Sequence, residues 1–210
     1  MRPPIAALVL ITAAIFGPAL GRAEAPASTW ESTRQGTTAF LNWQGTAPLL
    51  GKPTAIRLSF SSDPTYTDEL TGAVGFDLFI DAVAELAPFP FDSFEGPDAP
   101  AAAHELLQMT ITRGDQPPLT LIAAPSGWYP DERQFAFGLA KPSFEAPSVP
   151  RELFAALAAG AEQLTFRISA PADPKLYLEF SLPVGDQKAG FAALLENVAV
   201  ENGTGVSAQR

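Results

Sequence analysis

The chain of 210 residues has no cysteine and only one histidine. The first absence excludes a disulfide framework, a thiolate metal site and a lipid-anchor thiol. The second excludes zinc sites with two histidine ligands and would force a Ser-His-Asp site to use His104. His104 sits in Ala101-Ala102-Ala103-His104-Glu105, beside no serine motif, and reads as a surface residue at the start of a strand. Gly-x-Ser-x-Gly, Ser-x-x-Lys, Gly-x-x-x-x-Gly-Lys and Gly-x-Gly-x-x-Gly are also missing. Charge is scarce as well, at 17% of residues, and it is lopsided: 13 Lys plus Arg face 23 Asp plus Glu, for a net charge of −10. Such a field repels nucleic acid and anionic membranes.

Hydrophobic residues make up 47% of the chain, which excludes a disordered protein. There are 21 prolines and 16 glycines, which argue against long helices because proline removes a donor and clashes with the preceding turn. Residues 1–23 read as a signal peptide: Arg2 gives a positive start, and Ile5 to Phe16 form a short apolar run. Gly21 and Ala23 place small residues at the cut after Ala23. The mature protein is therefore expected in the periplasm or outside the cell. No later stretch approaches the roughly 20 apolar residues of a membrane helix.

The rest alternates with period two between turn signals. Ile56, Leu58 and Phe60 share one face, as do Val74, Phe76, Leu78 and Ile80, with Asp77 opposite. The same holds for Leu107, Met109 and Ile111, for Phe135, Phe137 and Leu139, for Leu164, Phe166 and Ile168, and for Leu178, Phe180 and Leu182. Thr37 to Trp43 and Leu119 to Ala124 are weaker strand segments, and Pro26 to Gly36 reads as a polar lead-in. About eight strands with one packed and one wet face predict an all-β, mainly antiparallel sandwich over residues 24–200. Two short helices are expected late in the chain. One carries Leu153, Phe154 and Leu157 between Ser148 and Gly160; the other runs from about Asp186 to Val198. Residues 201–210 read as a flexible tail, where Asn202-Gly203-Thr204 is a chance sequon.

The run Pro150-Arg151-Glu152-Leu153-Phe154-Ala155-Ala156-Leu157-Ala158-Ala159-Gly160 is followed by two strands, and Phe180-Ser181-Leu182 leads on to Gly190-Phe191-Ala192-Ala193-Leu194. This order, over residues 149–195, resembles the C-terminal part of the invasion-associated locus B family of bacterial periplasmic proteins. The resemblance implies a small β-rich secreted module without known catalytic residues.

Two stretches attract attention for chemistry. In Phe89-Pro90-Phe91-Asp92-Ser93-Phe94-Glu95-Gly96-Pro97-Asp98, the acids Asp92, Glu95 and Asp98 recur every third residue in a turn-rich loop, where carboxylates and freed carbonyls can converge on a hard cation. Calcium is the candidate metal, although the spacing is not that of an EF-hand. The competing expectation is that Phe89, Phe91 and Phe94 plug the core while the acids face water. In Ser126 to Arg133, the residues Trp128, Tyr129, Asp131 and Arg133 are suited to a sugar ring or a protein partner, or else form a hairpin loop folded over the sheet end. No catalytic residue and no cofactor other than calcium is assigned. The expected function is a non-enzymatic binding or accessory protein of the bacterial envelope, with another envelope protein or a glycan as partner. The alternatives are a calcium- or carbohydrate-binding module and a carboxylate-dependent hydrolase, although no pair of acids stands out for the latter.

Overall fold

A computed structural model describes residues 28–65, 74–95, 106–141 and 148–199. The segment read as a signal peptide, Asp98, His104 and the segment read as a tail lie outside the described residues. Of the described residues 55% are in strands and 22% in helical turns, so the fold is dominantly β. The strands are β1 (Thr29–Gln35), β2 (Thr38–Leu49), β3 (Lys52–Ser62), β4 (Val74–Asp81), β5 (Leu107–Arg113), β6 (Gln116–Ala123), β7 (Ser126–Asp131), β8 (Gln134–Lys141), β9 (Gln163–Ser169) and β10 (Tyr177–Pro183). Helix α1 spans Val149–Ala158, and α2 spans Lys188–Ala199. Two antiparallel sheets result, with strand orders β1-β2-β3-β4-β8-β7 and β10-β9-β5-β6.

The expected sandwich is present, with ten strands among the described residues rather than about eight. The two additions are β1, inside the segment read as a polar lead-in, and β7, inside the segment read as a loop. Both are edge strands of the larger sheet. An edge strand has a neighbour on one side only and little of it is buried, so its sequence need not alternate. In β1 only Trp30 is partly covered.

Period-two alternation sends one side of every inner strand into a single core. Phe60, Phe76, Phe137 and Phe166 are fully or almost fully buried, and Phe76 meets Phe166 edge-on at 5.4 Å between the sheets. The helices finish covering the larger sheet. Phe154 of α1 and Phe191 of α2 both meet Phe60 edge-on, at 5.7 and 5.0 Å. Helix α1 starts after Ser148 with Pro150 in its first turn and stops before Gly160, as the sequence predicts. The Ser148 hydroxyl makes no cap bond, however, and is buried without a partner. Before α2, residues Gly185–Gln187 form a 3-10 turn, so the helix starts slightly later than the sequence predicts.

Candidate functional site

The phenylalanines of the acidic loop plug the core. Phe89, Phe91 and Phe94 are 4%, 5% and 0% exposed, and Phe91 and Phe94 each stand 5.1 Å from a core ring, that of Phe135 and of Phe137 respectively. Their 3-10 turn, Phe91–Phe94, is held against β7 by a bridge between Glu95 and Gly127. Gly127 is required there, because a Cβ would lie 2.7 Å from the Phe94 carbonyl and 2.6 Å from the Phe135 ring. The Asp92 carboxylate accepts a 2.6 Å hydrogen bond from the Tyr129 hydroxyl. Burial, that hydrogen bond and the charges of Asp92 and Glu95 hold the Tyr129 hydroxyl far above its ordinary pKa, so it stays protonated and donates. Among the described residues no three His, Cys, Asp or Glu side chains converge as a metal cage would.

The second expected patch is divided by its own strand. Neighbours on a strand point to opposite faces. Tyr129 packs edge-on against Phe135 at 4.7 Å, whereas Trp128 is 37% exposed and lies over Gly138 on the outer face. Asp131 accepts from the Arg133 backbone N–H at 2.7 Å, which shapes the β7–β8 turn. Thus Asp92 and Tyr129 come together, while Trp128 joins a different neighbourhood.

That neighbourhood is the outer face of the six-stranded sheet. Cross-strand register aligns Thr29, Gln44, Arg57, Phe79, Ala136 and Trp128 in one row across all six strands. Glu31, Asn42, Ser59, Asp77, Gly138 and Ser126 form the next row. At one end a groove of about 310 Å³ opens over β1 to β4, with Glu31, Asn42, Gln44, Arg57, Ser59 and Phe79 in its lining. Ser59 donates to Asn42 at 2.8 Å, and Asn42 donates to Thr33 at 3.2 Å, so the amide is oriented from both sides. The Arg57 guanidinium lies 4.9 Å from the centre of the Phe79 ring and donates to Gln134 at 3.0 Å.

At the other end the Trp128 ring covers the face. A Cβ on Gly138 would stand 2.9 and 3.0 Å from Trp128 ring carbons and 3.0 Å from an Asp77 carboxylate oxygen, so only glycine lets the indole lie this close. Ala136, also outward by alternation, is fully buried. Burial likewise raises the Asp77 carboxyl above its ordinary pKa.

Sequence reasoning found Trp128 but not the groove. Its residues come from four strands and converge only through register, which no local pattern announces. No protein-family model, curated protein or solved structure matches the chain.

Proposed function

We propose that the protein is a non-enzymatic binding protein of the bacterial envelope, secreted or periplasmic, which holds its partner on the outer face of the six-stranded sheet. The observation that carries this reading is the groove of Glu31, Asn42, Gln44, Arg57, Ser59 and Phe79. Its amide, hydroxyl and guanidinium groups are oriented by neighbours and keep unused hydrogen-bonding capacity. The resemblance of residues 149–195 to the invasion-associated locus B family supports the envelope setting. Those residues build α1, β9, β10 and α2, so the resemblance concerns the scaffold, and the groove lies on strands outside it.

The alternatives, a calcium module at Asp92, Glu95 and Asp98 or a carboxylate hydrolase, have less support. Asp92 is already engaged by Tyr129, and Glu95 holds the loop to β7 through its backbone. Co-sedimentation with the native envelope fraction tests the binding reading. The purified protein is expected in the pellet, and Gln44→Ala and Arg57→Ala, folded by circular dichroism, are expected in the supernatant. Equal retention of both variants would place the contact elsewhere.

A further inference from the structure

We propose that the partner is an uncharged glycan chain, laid across the sheet from the groove to the Trp128 ring; the inference rests on the binding-face reading above.

The backbone argues first. A peptide commonly binds a sheet by adding to an edge through main-chain hydrogen bonds. Most of the groove instead lies on the face of β2, β3 and β4, whose backbone groups are paired to neighbours on both sides; only β1, which contributes Glu31, is an edge. Away from that edge only side chains are on offer, and they are of mixed kind. Asn42 and Gln44 each present donors and an acceptor, Ser59 a hydroxyl, Glu31 an acceptor and Arg57 donors. Every sugar hydroxyl is likewise both donor and acceptor, so a polyhydroxylated ligand can use the full set.

Charge argues next. The groove lining holds one carboxylate, Glu31, and one guanidinium, Arg57, which offset each other. A chain of net charge −10 repels polyanions, and nothing in the groove compensates with excess positive charge. A neutral glycan meets no such penalty.

Trp128 supplies the third argument. The residue is 37% exposed, yet its ring lies over Gly138 and so is held against the sheet. An amphipathic, rigid aromatic surface suits the apolar face of a pyranose. Trp128 stands in the same cross-strand row as Arg57, three strands away, or roughly 14 Å at ordinary strand spacing. A chain of several sugars spans that distance, whereas a monosaccharide touches one end only.

The test is co-sedimentation of the purified protein with native envelope fraction in three forms: untreated, oxidised with periodate to open sugar diols, and digested with protease. Retention abolished by periodate but unchanged by protease is the expected result. Trp128→Ala and Gln44→Ala, each folded by circular dichroism, should then weaken retention about tenfold, the size of an interface contact that matters. Retention abolished by protease and indifferent to periodate would overturn the glycan and leave the binding face standing, with a protein as partner. Failure of the wild-type protein to sediment with untreated envelope would overturn both.

Discussion

On the outer face of the four-stranded sheet, polar side chains pair with one another. Thr110 and Thr120 share a hydrogen bond at 3.3 Å, Thr165 and Ser181 share one at 2.7 Å, and Arg167 meets Glu179 at 3.8 Å while stacking on Tyr177. On the six-stranded sheet the corresponding rows include Gly138 and Ala136 where longer side chains would stand, and a groove opens beside them. Both faces are wet and both are polar. Both faces also pair internally, the larger sheet through Ser59, Asn42 and Thr33 and through Arg57 and Gln134; what the larger sheet adds is a groove beside those pairs and the part-exposed Trp128. A polar, internally paired sheet face is therefore no sign of a site without a concavity to hold a ligand.

The largest expected effect removes what the two faces share. Phe166 is fully buried, 5.4 Å from Phe76 of the opposite sheet and stacked 5.3 Å from Phe180. Phe166→Ala should cost about 3–5 kcal/mol in urea unfolding. Trp emission and far-ultraviolet dichroism should still report one transition; two separate transitions would mean that the sheets do not share a core.

Gly138→Ala comes next and acts on one face alone. The added methyl collides with the Trp128 ring and the Asp77 carboxylate, for a cost of roughly 1–3 kcal/mol and a displaced indole. A red shift of Trp emission, absent in the Trp128→Phe background, checks the displacement. Thr165→Ala on the other sheet is expected to stay within about 0.5 kcal/mol of wild type.

Two carboxylates of the larger sheet and its flank respond to pH with opposite sign. Burial raises the Asp77 carboxyl, so the folded state holds its proton more tightly than the unfolded state. Its stabilising contribution is complete below the ordinary value of 3.8 and is lost as pH rises through the folded one. Asp77→Asn should therefore match wild type in acid and exceed it near neutrality. Asp63 is lowered, chiefly by the hydrogen bond from Thr38, with Thr65 and Thr37 adding to it. Asp63→Asn should be the weaker protein near neutrality, with the gap closing as pH falls through the folded value. Urea midpoints at a series of pH values read both signs.

The smallest effect belongs to the acidic loop. Melting after chelation and again in millimolar calcium is expected to give the same midpoint. A clear upward shift would instead assign Asp92, Glu95 and Asp98 to the metal, since a ligand that binds the folded state raises its stability.

The core strands were legible because each buries one face: Val74, Phe76, Leu78 and Ile80 announce β4 by spacing alone. The helices were legible from Leu153, Phe154 and Leu157 and from Phe191, Leu194 and Val198, all of them buried. β1 was not, because Thr29–Gln35 packs only Trp30 and is polar on both sides. β7 was hidden by Gly127 and Pro130, residues that ordinarily signal turns. The candidate site was less legible still. Trp128 and Tyr129 look like one patch in sequence, yet a strand sends adjacent side chains to opposite faces. Asn42, Arg57 and Phe79 look unrelated until the pairing of Gln44 with Arg57 and of Arg57 with Phe79 aligns their strands.

The most direct measurement is the map of backbone amide shifts in the labelled protein as a neutral hexasaccharide is added. The predicted perturbations cluster at Asn42, Gln44, Arg57, Ser59, Phe79 and Trp128. Perturbations at Thr110, Thr120, Thr165 and Ser181, or at Asp92 and Tyr129 alone, would contradict the account.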